Sequence, residues 1–139
     1  MNKNKKQYAE LYEVAERARE LSYSPYSGIT VGAALLGASG KIYVGANIEN
    51  ASYSPTICAE RTAIFKAVLE GEREFAAIAI AGGASGEDGK DGFYPCGVCR
   101  QVMSEFFSRN TDIIIKRGGD IEIHPFSEVL PMAFTKDKL

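Results

Sequence analysis

The chain has 139 residues, of which 45% are hydrophobic and 24% charged; these are ordinary values for a globular chain and exclude a disordered or collagen-like one. That length suits a single domain over residues 1–139, burying roughly 68% of its unfolded surface and so needing no disulfide staples. Sixteen Lys and Arg against eighteen Asp and Glu leave a formal charge of −2, with no basic excess to drive binding to nucleic acid or to an anionic membrane.

Over residues 6–21, Tyr8, Leu11, Tyr12, Val14, Ala15, Ala18 and Leu21 recur at helical spacing. Glu10, Glu13, Arg17 and Glu20 lie opposite, which predicts an amphipathic first helix. SYSPYSG (22–28) ends it with turn chemistry. Residues 31–36 and 41–48 read as strands joined through GASG as a hairpin, with Gly32 serving close packing within the first. Residues 59–69 read as a second helix stopped by Gly71. The run 75–81 is apolar without alternation, as expected of a strand buried on both faces. GGASGEDGKDG (82–92) reads as a flexible loop of turn formers. A third helix over 97–108, strands over 112–116 and 121–124 split by Gly118-Gly119, and a short helical tail complete the chain. The order α-β-β-α-β-α-β-β predicts an α/β fold, one mixed sheet of about five strands covered by helices.

The longest apolar stretch is far short of the ~20 residues that span a bilayer. The start, MNKNKKQYAE, runs into a charged amphipathic pattern rather than an apolar leader core. These features predict a soluble, cytoplasmic chain with reduced thiols. Three reduced cysteines, two of them in C-x-x-C, are better read as metal ligands or redox groups than as bridges.

The chemistry concentrates in T-I-C-A-E-R (56–61) and P-C-G-V-C-R-Q (95–101), which hold every cysteine in the chain. Zinc takes thiolates in a tetrahedron, and three protein ligands is the catalytic count. Cys58 would begin the second helix, and Cys96 and Cys99 would flank the start of the third. Helix N-termini favour the ionised thiol. Glu60, in the same first turn as Cys58, can lie beside a metal without ligating it and take a proton from zinc-bound water. Zinc with three thiolates carries net −1 and is a poorer Lewis acid than zinc on neutral histidines. Something positive should touch the sulfurs, and Arg61 is the natural candidate. C-x-x-C alone would fit a structural zinc knuckle or a redox pair, Glu60 alone a dipole-favoured helix acid, and His124 a strand residue with no catalytic part.

Zinc deaminases carry H-x-E followed by P-C-x-x-C, with three-cysteine variants; here Cys58 stands at the His position. The chain resembles the small, homo-oligomeric cytidine deaminase family over nearly its whole length. The resemblance runs through SPYSGITVGAALL (24–36), GANIENASY (45–53), CAERTAIFKAV (58–68), PCGVCRQV (95–102) and LPMAF (130–134). It implies a three-layer α-β-α sandwich, one Zn2+ per subunit on Cys58, Cys96 and Cys99, and Glu60 as proton shuttle. It also implies that Asn47 and Glu49 hydrogen-bond a sugar hydroxyl and that the Ala59 backbone holds the pyrimidine edge. Phe134 would cover the base from a neighbouring subunit, and Arg61 and Gln101 would support the thiolates. Ile29 stands where the family usually carries an aromatic against the nucleoside, and Ile57 where a polar residue is common. The implied activity is hydrolytic deamination of cytidine and 2′-deoxycytidine, in pyrimidine salvage, by a homotetramer. Rival readings are a deaminase of a nucleoside analogue such as blasticidin S, and a zinc-stabilised module without catalysis.

Overall fold

In the computed structural model, which describes residues 2–139, the first apolar stripe forms helix α1 (Asn2–Ala18), continued by a 3-10 turn at Arg19–Leu21. Strands β1 (Ile29–Gly37) and β2 (Ile42–Ala46), helix α2 (Ala59–Leu69), strand β3 (Phe75–Ala84) and helix α3 (Gly97–Phe106) follow. Strands β4 (Asp112–Arg117) and β5 (Asp120–Pro125) and the one-turn helix α4 (Phe126–Val129) complete the main elements. The strands form one sheet in the order β2-β1-β3-β4-β5. β3 and β4 run parallel and the other neighbours antiparallel, so the sheet is mixed as expected.

Alternation along the strands builds two cores. Ala34 and Leu36 of β1 and Ala77, Ala79 and Ala81 of β3 pack with Tyr8, Leu11, Tyr12 and Ala15 of α1. Ala33, Leu35, Ile78 and Ile80 face the other way, against Ala59, Ala63 and Ile64 of α2 and Cys99 and Met103 of α3. The result is helix, sheet, helices, with β3 buried on both faces. Gly32 has the close-packing role predicted for it: a Cβ there would run into the Ala15 carbonyl and sit 2.7 Å from the Arg19 nitrogen.

Several features differ from the sequence reading through tertiary contacts. Gly82, Gly83 and Ala84 belong to β3, where they pair with Val31, Thr30 and Ile29, and the Phe93 ring fills the space over Gly82. The rest of the expected flexible loop is tied down: Ser85 N–H donates to the Gly28 carbonyl (2.8 Å), Lys90 N–H to Gly82 (2.7 Å) and Gly92 N–H to Lys116 (2.8 Å). Helix α3 ends at Phe106 because Phe107 turns extended and packs its ring against Phe75 and Phe126. Arg19, which the sequence reading did not single out, is buried. Its guanidinium donates to the Thr30 carbonyl (3.0 Å), the Ala84 carbonyl (3.0 Å) and Glu16 Oε2 (2.6 Å), joining α1 to β1 and β3.

Candidate active site

Cys58 and Cys96 are the N-cap residues of α2 and α3, both with extended backbones, and neither thiol is spent on a capping bond. Cys99 lies in the first turn of α3, fully buried. The three Sγ atoms lie within 4.8 Å of one another, and Cys58 and Cys96 are 3.8 Å apart. Zinc–sulfur bonds of ~2.3 Å place tetrahedral sulfurs about 3.8 Å apart, so both the donor set and its spacing fit zinc. His124 does not join this group; Glu122 (2.9 Å) and Glu128 (3.2 Å) hold it on β5.

Neighbouring elements fix both helix starts. Gly45 of β2 lets the first turn of α2 approach the sheet, and the Thr62 hydroxyl lies 3.1 Å from both the Ala46 and Cys58 carbonyls. Before α3, Arg100 donates to the Pro95 carbonyl (2.8 Å) and the Val129 carbonyl (2.7 Å).

Arg61 touches the cluster as charge balance required, with Nη2 donating to Cys58 Sγ at 3.3 Å. The neighbouring Cys99 thiol, opposed by burial and aided by Arg61 and Cys96, holds the Cys58 thiol well below its ordinary value. The same pairing with Cys58, with burial, pushes Cys99 up. Arg61 Nε is buried without a partner. Arg61→Ala is expected to lower zinc affinity or turnover about 10–100-fold, the usual cost of removing a group that supports metal ligands. Unchanged zinc content after dialysis together with unchanged kcat would rule the role out.

Glu60, 4% exposed, occupies the first turn of α2. Burial pushes its carboxyl up to about 7, and the Cys58 charge adds to the rise. A carboxyl titrating near neutrality can both accept and return a proton.

Asn47 and Glu49 follow β2 and lie between two bridges of the intervening Ile48, to Tyr23 and to Ile57 beside Cys58. Asn47 Oδ1 accepts from Ser22 Oγ (2.6 Å) and Val31 N–H (2.9 Å), and its Nδ2 donates to the Ile29 carbonyl (2.9 Å). Glu49 accepts from the Ser27 hydroxyl and from the Tyr26 (3.0 Å) and Ser27 (3.2 Å) backbone N–H groups. The Ser27 hydroxyl above all, against some desolvation, holds the Glu49 carboxyl below its ordinary value. Tyr26, Ser27, Glu49, Tyr53 and Thr56 line a cleft of about 240 Å³.

Ala59 is fully buried at the start of α2, and Ile29 is half-buried against the core. Phe134 leaves its ring 60% exposed. Gln101 departs from the expectation of a thiolate partner. Its Nε2 donates to the Phe134 carbonyl (3.0 Å) and Ser104 Oγ (3.2 Å), because its side chain leaves the exposed face of α3 toward the C-terminal segment. Sequence reasoning missed Ser22, Ser27 and Thr62. The serine-rich turn was visible, but nothing local pairs residue 22 with 47 or 27 with 49.

The family model described as the cytidine and deoxycytidylate deaminase zinc-binding region matches residues 5–115. A cytidine deaminase of Sporosarcina psychrophila is 47% identical over 126 residues, 90% of this chain and 89% of that protein. One from Halalkalibacterium halodurans is 48% identical over 130 residues, 93% and 95% of the two chains. The crystal structure of cytidine deaminase from Burkholderia pseudomallei superposes with a TM-score of 0.81 at 43% identity, covering 91% of this chain and 98% of that one.

Proposed function

The chain belongs to the cytidine and deoxycytidylate deaminase family, and from that premise we propose which of its residues carry out zinc-dependent hydrolytic deamination of cytidine. The observation that carries the assignment is the convergence of three sulfurs from two helix N-termini, with a buried carboxyl in the first turn of one of them. Cys58, Cys96 and Cys99 would hold Zn2+, which when bound would supply a Lewis acid and a water acidified toward neutral pH.

Glu60 takes one proton from the attacking water and delivers it to N3 of the pyrimidine as the new C4–O bond forms. It then carries the second water proton to the amino nitrogen. The C4–N bond breaks, ammonia leaves, and uridine keeps the N3 proton, so atoms and charge balance. Arg61 keeps the thiolates from over-neutralising the metal. The Ala59 backbone, at the N-terminus of α2, holds the edge of the base, and Asn47 with Glu49 holds a sugar hydroxyl. 2′-Deoxycytidine is a second substrate.

Phe134 and Tyr53, 60% and 75% exposed, are apolar surfaces beyond what one copy covers, which supports a homotetramer whose sites are completed across interfaces. No helix among the described residues is long and apolar enough to cross a membrane. With three unpaired cysteines, we place the enzyme in the cytoplasm, in pyrimidine salvage.

Purified, zinc-loaded protein should convert cytidine to equal amounts of uridine and ammonia, followed by the absorbance change. Stoichiometric zinc without conversion would move the substrate to a nucleoside analogue or leave a module without catalysis. Ile29 gives a sharper check. Stacking on an aromatic is worth about 1–3 kcal/mol per base, so Ile29→Phe is expected to lower KM by at least about fivefold with kcat kept. An unchanged or higher KM counts against contact between this position and the nucleoside.

A further inference from the structure

What Asn47 and Glu49 offer a ligand depends on which way round the Asn47 amide sits. Residues outside the pair set that orientation. An amide oxygen accepts two hydrogen bonds and its NH2 donates two. Asn47 Oδ1 is filled by Ser22 Oγ (2.6 Å) and Val31 N–H (2.9 Å), while Nδ2 spends one proton on the Ile29 carbonyl (2.9 Å). One N–H remains. Glu49 is an acceptor only, bound by the 26–27 turn through three donors and with lone-pair capacity left. The pair therefore presents one donor and one acceptor, which is what a single hydroxyl requires.

Turning the amide over would set Nδ2 against the Val31 N–H and Oδ1 against the Ile29 carbonyl. The pair would then show two acceptors to a hydroxyl that has one proton. The Val31 and Ile29 contacts are backbone groups that any residue would supply. Ser22 is the side chain in the arrangement. Ser24 Oγ stands 3.0 Å from Ser22 Oγ. Ser22 is the donor in both contacts and has one proton, so the shorter contact, to Asn47 Oδ1, takes it.

We propose that Ser22 is a positioning residue that, together with the Val31 N–H and the Ile29 carbonyl, which set the orientation of the Asn47 amide, holds that amide in place with its remaining N–H toward the ligand, making the pair selective for a nucleoside bearing a sugar hydroxyl at that point. The proposal rests on the sugar-binding reading of Asn47 and Glu49 given above, and the test separates the two. Zinc-loaded parent, Ser22→Ala, Ser22→Thr and Ser22→Cys are assayed on cytidine and on its 2′-deoxy, 3′-deoxy and 5′-deoxy analogues. If the parent shows the same KM for all four nucleosides, the sugar-binding reading fails whatever Ser22 does. Where one analogue has a raised KM, it marks the hydroxyl that is read. Ser22→Ala is then expected to raise KM for cytidine about tenfold with kcat within about twofold, as for loss of one neutral hydrogen bond, while KM for that analogue stays put. Ser22→Thr, which keeps the hydroxyl, restores the parent values. Should Ser22→Ala not fold, Ser22→Cys keeps the size but exchanges the hydroxyl for a weaker donor and is expected to give the same split at about two- to threefold. Equal rises for cytidine and the analogue, no rise at all, or failure of the threonine rescue overturns the proposal.

Discussion

Glu60→Gln is expected to lower kcat by at least ~10²–10⁴-fold, the usual contribution of a positioned acid–base group, while the protein still folds and holds one zinc per chain. Glutamine matches glutamate in size, so the first turn of α2 and the sulfurs at its end keep their packing; what is lost is the capacity to carry a proton. The reaction asks one group to serve twice, first for N3 and then for the departing amine. An amide can do neither. KM should move far less than kcat, because the base edge and the sugar are held by other residues. Metal analysis and thermal melting establish that the variant is intact, and steady-state turnover reads the effect. Near-normal turnover by a zinc-loaded variant would remove Glu60 from the mechanism.

Two other carboxylates, one after β2 and one after α2, do not fit the task. Glu49 is bound by three donors of the 26–27 turn and is held below its ordinary pKa. It is a fixed acceptor rather than a shuttle. Glu72 is occupied by Ser39 and Tyr43 at the far end of α2. Glu60 differs in being buried and pushed up to about 7, where accepting and releasing a proton cost similar amounts.

The parts of this site that local sequence encodes were legible in it. Cys58 and Glu60 are separated by one residue, and Cys96 and Cys99 by two. Both segments begin helices, so a reading confined to short windows places all four. The observed bounds of α2 coincide with the predicted 59–69. What local windows do not carry is contact between distant segments. Asn47 meets Ser22 across 25 positions, and Arg19 reaches Ala84 across 65. Phe107 has a helical pattern behind it, yet leaves α3 because Phe75 and Phe126 offer a better place for its ring. Gly82 and Gly83 have turn composition, and they are strand because β1 pairs with them. Gln101 belongs to the motif that carries Cys96 and Cys99. Its position in sequence suggested the sulfurs, whereas its place on the exposed side of α3 turns it to the Phe134 carbonyl.

The same logic makes Gly45→Ala a large effect at a residue with no chemistry of its own. Gly45 is buried on β2, opposite Ala33 of β1. A Cβ there would run into the Ala59 carbonyl oxygen and stand 2.6 Å from the Ala63 nitrogen and 3.0 Å from the Ala63 Cβ. The first two are helix backbone, which cannot swing aside as a side chain end can. Relief requires moving the first turn of α2 off the sheet, and that turn carries Cys58 and Glu60. Overpacking of this kind costs typically ~1–3 kcal/mol, against a total stability of about 5–15 kcal/mol. A fall in Tm of about 10 °C corresponds to the upper end for a domain of this size. Zinc affinity should fall with it, because the Cys58 to Cys96 spacing of 3.8 Å depends on where α2 begins. Gly97→Ala is the informative control. It adjoins Cys96, but a Cβ there meets nothing within 4 Å, so melting and competitive zinc titration should stay at parental values. If Gly45→Ala behaves like Gly97→Ala in both measurements, the approach of α2 to β2 does not set the metal centre. If only Gly45→Ala loses stability and zinc together, the sheet positions the sulfurs through a residue remote from them in sequence.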